Sequence, residues 1–384
     1  MKKTLAAVAV LGAFAGSALA ADVQLYGIVD LGVGYNHVDV DGLKTSGDID
    51  KFEMKTGQAS GSRWGIKGTE DLGNGLTVGF ILEDGFDADT GSEDKTKVMF
   101  NRESSLFIEG GFGKFAMGRI GSINNGQSSW AKAGMISAFG TSDWGGYSAQ
   151  IGSVMHMAGQ WDNMIAYQTP DFAGFKVYAQ YGMGTNENEN ESRSDRYYAL
   201  GATYNNGPFA GYFAVDSINY KTADANGAID GASDIDDSLT VTLGGSYDFD
   251  VVKVYLGAQY FDEVKLSKFS GVLGDAGVVK ADTSDYKVKG YAVTLSGDAP
   301  LWGGKAMFGI GYTDADTADS EEDVKDVELS RYVVSVGYDY PFSKRTDVYA
   351  VASYMQDSWE NNGTTKVDAD PSAYTLYVGL RHRF

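Results

Sequence analysis

Polar and apolar residues alternate with a period of two along much of the chain. The clearest run lies near the C-terminal end, where apolar positions 332, 334, 336, 338 and 340 alternate with Arg331, Ser335, Gly337 and Asp339. Similar runs occupy 239–249 and 305–312. Because successive side chains of a β-strand point to opposite faces, this pattern predicts strands with one apolar and one polar face. A soluble β-sandwich and a transmembrane barrel both show it, so the alternation leaves the two folds open.

Short turn signals recur between the predicted strands and distinguish the two folds. They are rich in glycine, asparagine, aspartate and proline, and they lie at 71–75, 110–113, 170–174, 205–208, 248–250, 299–304 and 341–346. Longer polar segments alternate with them, as in bacterial barrels, whose periplasmic turns are short and whose outer loops are long. Seven turns and eight loops predict an all-β fold, a 16-stranded antiparallel transmembrane β-barrel.

One interval between turns is longer than the others. The turn centres near 111 and 172 are 61 residues apart, whereas the remaining intervals between turns range from 34 to 53. The excess falls on Ile120 to Gly159, which is rich in glycine, serine, alanine and methionine. The spacing therefore predicts a long third outer loop.

The first 20 residues have the features of a secretory signal peptide. Lys2 and Lys3 precede a short apolar run, Leu5 to Phe14, and Ala18-Leu19-Ala20 is a small-x-small cleavage site. The apolar run is shorter than the about 20 residues that span a bilayer, which disfavours a retained anchor. We therefore expect cleavage after Ala20 and a single barrel domain at 21–384.

Charge and residue content exclude several kinds of function. The formal net charge is -21, and loss of Lys2 and Lys3 leaves 29 basic against 52 acidic residues, or -23. This balance argues against nucleic acid as a partner. The chain has no cysteine, no His-x-x-x-His pair and no G-x-S-x-G motif around a candidate nucleophile. The sequence therefore predicts that the protein is not an enzyme and has neither a cofactor nor a metal centre.

The acidic segments 222–237 and 318–327 suit solvated loops, and divalent-cation bridging to lipopolysaccharide remains an alternative.

The end of the chain resembles the terminal strand of outer-membrane barrels. Tyr374, Leu376, Val378, Leu380, His382 and Phe384 share one face, and Phe384 is the last residue. In such barrels the C-terminal aromatic residue is part of the signal read by the barrel insertion machinery. Further segments at 21–30, 61–73, 100–103, 117–119 and 161–163 resemble the Gram-negative general diffusion porins in the order of that family.

The resemblance implies a homotrimer in the bacterial outer membrane, in contact with lipopolysaccharide and outer-membrane lipid. Each subunit would form a water-filled channel for passive diffusion of ions and small hydrophilic solutes, with the long third loop folded into the lumen. A substrate-specific outer-membrane channel, which would need an aromatic track along the lumen, is the alternative.

In this family, basic residues of the barrel wall face acidic residues of the third loop across a constriction. The residues at the matching or parity-related positions are Arg63, Lys67, Arg102, Arg119, Asp30, Glu83 and Asp143. On the loop, Lys132 adds a positive charge. An Arg102 that faces the lumen conflicts with the alternation of the strand. Leu106 and Ile108 share its parity, so these apolar side chains would face the lumen as well. Each arginine could instead form a strand-end salt bridge or contact lipopolysaccharide. Gln160 stands where related porins often have an arginine, which removes one wall charge.

Overall fold

A computed structural model describes residues 22–40, 47–95, 98–184, 195–220, 236–269, 271–275, 287–319, 327–361 and 367–384. The predicted signal peptide lies outside these residues, and so does most of both acidic loop segments. Cleavage after Ala20 and cation binding by those loops therefore remain predictions.

The described residues contain 19 β-strands and four short helical turns. The strands are β1 Asp22–Asp39, β2 Ile49–Thr56, β3 Arg63–Gly73, β4 Leu76–Asp87, β5 Ser92–Glu93, β6 Glu103–Gly110, β7 Gly113–Gly121, β8 Gln160–Gln168, β9 Phe175–Gly182, β10 Arg196–Asn206, β11 Phe209–Asn219, β12 Leu239–Asp248, β13 Lys253–Lys265, β14 Lys287–Leu301, β15 Gly304–Thr317, β16 Val327–Pro341, β17 Thr346–Asn361, β18 Val367–Ala369 and β19 Ser372–Arg383. The helical turns are α1 Ile151–Val154, α2 Gly271–Asp275 and the 3-10 turns Ala133–Ile136 and Leu266–Phe269.

All strands of the barrel wall pair antiparallel with their sequence neighbours, and the last strand closes onto the first. β1 pairs with β19, for example at Leu31 and Leu380, and also with β2 and β3. β2 and β3 form a single stave, β5 is a two-residue addition to β4, and β18 leads into β19. Counted in this way, the described residues form 16 staves, which confirms the predicted closed, 16-stranded antiparallel barrel.

The two faces of each strand differ as the alternation predicted. On β16, Tyr332, Val334 and Val336 are about half exposed, whereas Arg331 and Ser335 are buried. Because every backbone polar group of a closed barrel can pair within the sheet, an apolar outer face is compatible with lipid. Among the described residues, no helix has the length and apolar character needed to cross a membrane.

The loop between β7 and β8, residues 122–159 and here called L3, is close to the predicted excess segment. Its apolar side chains pack on glycines of the inward face of the wall. A Cβ atom at Gly311 would lie 2.3 Å from Cγ2 of Val154, and one at Gly244 would lie 2.6 Å from Cγ2 of Ile136. Glycine is therefore required at these wall positions, because any larger side chain would displace the loop.

Candidate pore-lining site

Three of the predicted residues and one neighbour form a compact cluster on β1, β3, β4 and the segment that precedes β6. Nε of Arg102 lies 2.7 Å from Oε1 of Glu83, and Nε of Arg63 lies 3.6 Å from Oε2. The hydroxyl of Tyr26 donates to Oε2 of Glu83 at 2.9 Å. Two guanidinium groups therefore share a single carboxylate, and the cluster carries a net positive charge.

The backbone before β6 resolves the conflict over the orientation of Arg102. β6 begins at Glu103, and the preceding residues are irregular, with Phe100 in the left-handed region at φ 55°. Arg102 therefore does not follow the alternation of β6. Its side chain is buried beside Glu83, whereas Leu106 is 54% exposed on the outer face. The parity argument failed because it extended the alternation of β6 to a residue that precedes the strand.

Arg119 has partners other than the residues of this cluster. Its guanidinium forms an ion pair with the carboxylate of Asp162 on β8, and its Nε donates to the backbone oxygen of Asn101 at 2.7 Å. The register between β7 and β8 shifts between Gly118 and Ile120, next to this pair. Asp162 was not predicted as a site residue, although it lies in a segment that resembles the porins.

Lys67 lies against Tyr26 of the arginine cluster, whereas the cation that acts on Asp143 is Lys55. The ammonium group of Lys67 lies 5.1 Å from the ring centroid of Tyr26, on the same inward face. Asp143 lies in L3 with an exposed side chain. Desolvation by the surrounding protein raises the pKa of Asp143, and the positive charge of Lys55 on β2 opposes this rise.

Asp30 is enclosed rather than exposed to the lumen. Its Oδ2 accepts hydrogen bonds from the backbone nitrogens of Ala59, at 2.9 Å, and Ser60, at 2.7 Å. Its Oδ1 accepts a bond of 2.6 Å from the hydroxyl of Tyr349. The side chain has 0% exposure, so it cannot contact a passing solute directly. Asp30 fixes the bend at 57–62 that separates β2 from β3.

A second cluster, centred on Arg381 and not predicted, contacts the same bend. Nε of Arg381 lies 3.0 Å from Asp347 and its Nη2 lies 3.1 Å from Asp339. Its Nη1 also donates to the backbone oxygen of Ala59, at 3.2 Å. The alternation of the terminal strand placed Arg381 on the polar face, but no sequence signal indicated its partners, because they lie on β16 and β17.

L3 is attached to the inward face of the wall at several points. Glu103 accepts bonds from Ser128 Oγ, at 3.0 Å, and from the Ser129 nitrogen, at 2.7 Å. Further along, the backbone nitrogens of Ala138 and Ala149 donate to Ser296 Oγ and Ser335 Oγ, at 2.9 and 2.8 Å. These contacts reach from β6 to β16 around the wall.

The tip of L3 reaches the bend between β2 and β3. The backbone nitrogen of Trp144 donates to the backbone oxygen of Gln58 at 2.8 Å, and its ring makes an edge contact with Tyr349, with the centroids 5.3 Å apart. L3 therefore contacts both the wall and the bend that Asp30 holds.

One cation of L3 has an altered pKa. Desolvation, together with the positive charges of Lys114 and Lys176 and against the opposing charge of Glu103, lowers the pKa of Lys132 to about 8. The Lys132 ammonium donates to the backbone oxygen of Ser129 at 2.8 Å.

Within the described ranges, no three histidine, aspartate or glutamate side chains are grouped so that they could hold a metal ion.

The C-terminal residue completes the wall beside Gly27. The nitrogen of Phe384 donates to the oxygen of Gly27 at 3.0 Å, and its own oxygen accepts from the Gly27 nitrogen at 3.1 Å. A Cβ atom at Gly27 would lie 2.3 Å from Cζ of the Phe384 ring. The aromatic ring therefore lies on the surface that glycine leaves open.

Comparison with known proteins agrees with this architecture. The sequence matches the family of Gram-negative porins over residues 6–360. It is 33% identical to an outer membrane porin protein of Bordetella pertussis and 29% identical to outer membrane porin protein 32 of Delftia acidovorans, in each case over 100% of both chains. The structure of an anion-selective porin from Comamonas acidovorans has the same fold, with a TM-score of 0.66 and 24% identity over 95% of this chain and 100% of that chain. The chain belongs to the Gram-negative porin family.

Membership of this family confirms several predictions. The protein is a porin of the bacterial outer membrane and acts as a diffusion channel. The family is not enzymatic, as the lack of catalytic motifs had indicated. Porins of this kind are typically trimeric.

Proposed function

We propose that the protein lets ions and small hydrophilic solutes diffuse through a water-filled lumen that L3 narrows. The observation that supports this best is the set of bonds from L3 to side chains on the polar, inward face of the wall, including Ser296 and Ser335. A loop that binds this face on several staves occupies part of the cross-section of the barrel.

A general channel is favoured over a substrate-specific one. An aromatic track would have to offer rings to a passing solute. Five tyrosines on the inward face of the wall are at most 3% exposed, namely Tyr178, Tyr197, Tyr212, Tyr349 and Tyr377. They pack against L3 and neighbouring strands, so they support the loop rather than offer a binding surface.

At the constriction, we place Arg63, Lys67 and Arg102 on the wall, with Glu83 between the two arginines. Asp143 and Lys132 would supply the charges of L3. Because Arg63 and Arg102 share one carboxylate, we expect a weak preference for anions in 0.1 M salt, where the screening length is about 10 Å. Asp30 would act by holding the bend at 57–62, and Arg119 by its pair with Asp162.

Processing and assembly follow the same proposal. We expect cleavage of the signal peptide after Ala20, recognition of Phe384 by the insertion machinery, and a homotrimer surrounded by outer-membrane lipid and lipopolysaccharide. N-terminal sequencing of purified protein would test cleavage after Ala20. The size of conductance steps in a planar bilayer would test the homotrimer.

Shortening L3 within Gly134 to Gly146 tests the proposed function. Removal of residues from the lumen widens the path, so single-channel conductance in a planar bilayer should rise. A folded barrel of unchanged conductance would show that L3 does not narrow the pore. The retained fold is checked by the resistance of the barrel to sodium dodecyl sulfate at low temperature.

A further inference from the structure

A second outer loop is buried against the inside of the barrel. The loop between β13 and β14, here called L6, is described at 266–269 and 271–275. Leu266, Phe269, Val272 and Leu273 are at most 1% exposed, and the ring of Phe269 lies 4.8 Å from that of Phe261 on β13. Apolar side chains of an outer loop become this buried only by packing on other protein.

Arg331 of β16 joins L6 to L3. Its Nε and Nη2 lie 2.6 and 2.7 Å from the two carboxylate oxygens of Asp357 on β17. Nη1 donates to the backbone oxygen of Ser153 in L3 at 3.0 Å, and Nη2 donates to that of Phe269 in L6 at 2.7 Å. A single guanidinium group, 2% exposed, therefore holds the backbone of both loops against the wall.

The local sequence of L6 is adapted to this contact. Gly271 has a φ of 38°, and a Cβ atom there would lie 2.6 Å from Nη2 of Arg331. Glycine allows both the left-handed backbone and the close approach of the guanidinium group. Only a planar group with several fixed donors can serve Asp357 and two carbonyls at once, which a lysine cannot do.

A second contact joins the loops further from the wall. The hydroxyl of Tyr147 in L3 donates to Oδ2 of Asp275 at the end of α2, at 2.8 Å, and Nζ of Lys51 on β2 lies 3.7 Å from Oδ1. Burial and this acidic partner both raise the pKa of Tyr147, so the hydroxyl stays protonated and can donate. L3 and L6 are thus joined at two separate places.

We propose that L6 is a second pore-narrowing loop, and that Arg331, held by Asp357, is the positioning residue that fixes L3 and L6 as one unit. The proposal rests on the proposed function, because L6 can narrow the pore in this way only if L3 lies in the lumen. It assigns a role in pore size to a wall residue outside the charged constriction.

The test replaces the pair without leaving a buried charge alone. Arg331→Met combined with Asp357→Leu substitutes apolar groups for a buried ion pair, a change that barrels of this kind should tolerate. Both loops then lose their shared donor. We expect a folded barrel with higher single-channel conductance and larger current fluctuations. Arg331→Lys should give an intermediate conductance.

Thiol reactivity measures the position of L6 directly. The chain has no cysteine, so Leu273→Cys introduces a single thiol at a fully buried site of L6. A bulky maleimide should react slowly with this variant and faster when the Arg331 and Asp357 replacements are added. Tyr147→Phe should also increase reactivity. Tyr255→Phe is the matched control, since it removes a tyrosine–aspartate bond of 2.8 Å within the wall, to Asp298, and should change nothing.

The outcomes separate the two proposals. Unchanged thiol reactivity and conductance in the folded, pair-replaced barrel would overturn the role of Arg331. If shortening L3 leaves conductance unchanged, the proposed function fails. Faster maleimide reaction after pair replacement would then still show that Arg331 positions L6, but the pore-narrowing role of L6 would be wrong.

Discussion

Nε of Arg102 lies 2.7 Å from one oxygen of the Glu83 carboxylate, and Arg63 approaches the other oxygen at 3.6 Å. Both arginines therefore depend on one acid for charge compensation. Salt screens partly buried charges less than exposed ones. The Glu83 carboxylate therefore influences the electrostatic potential near the two arginines more than an exposed acid in an outer loop does.

Replacing the shared acid should strengthen the preference for anions. Glu83→Gln keeps the shape of the side chain and leaves two guanidinium groups without their common partner. The reversal potential in a potassium chloride gradient should shift toward anions. Glu360→Gln makes the same change of charge at an exposed site at the end of β17 and should leave the reversal potential unaltered. Equal shifts in the two variants would mean that only total charge matters.

Neutralising the two arginines should have the opposite effect. In a variant with Arg63→Gln and Arg102→Gln, the negative charge of Glu83 remains alone, so the reversal potential should move toward cations. Arg345→Gln, in the exposed turn between β16 and β17, is a suitable control. A double variant that behaves like the unmodified protein would show that these arginines do not line the constriction, although the protein would still be a porin.

The structure also shows which features the sequence could predict. The polar face of β16 follows from the alternation around Val334, because this pattern depends only on the local geometry of a strand. The strand number follows from the short turns that recur between the strands. The orientation of Arg102 does not follow, since it depends on an irregular residue before β6. The partners of Arg331 and Asp30 come from loops and strands distant in sequence. No periodic signal contains such contacts, and the buried loop L6 was missed for the same reason.

Asp30 should matter for stability more than for selectivity. It accepts two backbone hydrogen bonds and one from Tyr349, and each bond to a charged acceptor contributes about 1.5–3 kcal/mol. Asp30→Asn removes the negative charge and replaces one acceptor oxygen by a donor, so the three bonds can no longer all be made to a charged acceptor. The temperature at which the folded barrel unfolds in detergent should therefore fall clearly. Tyr349→Phe removes one bond only and should lower it less. If Asp30→Asn instead changed selectivity at unchanged stability, Asp30 would be a residue of the constriction.

Loss of the C-terminal residue should reduce assembly. Deleting Phe384 removes both backbone bonds to Gly27 and the ring that lies over it. Phe384→Tyr keeps the bonds and the ring. The yield of folded barrel in the outer membrane, measured from the band resistant to detergent, should be much lower for the deletion. Similar yields from the two variants would mean that the terminal aromatic residue is not read during insertion.

The selectivity of the pore should depend on pH through Lys132. Desolvation lowers the pKa of this loop lysine to about 8, whereas an ordinary lysine titrates near pH 10.4. Between pH 7 and pH 9 the amine therefore loses its proton and the lumen loses a positive charge. The reversal potential should shift toward cations over this interval, with a midpoint near pH 8. Lys132→Arg is the sharpest control, because guanidinium stays charged throughout and should give a flat profile. Lys132→Gln should give a flat profile too, but displaced toward cations at every pH. If the unmodified protein and Lys132→Arg follow the same curve, the charge of Lys132 does not act on the permeating ions.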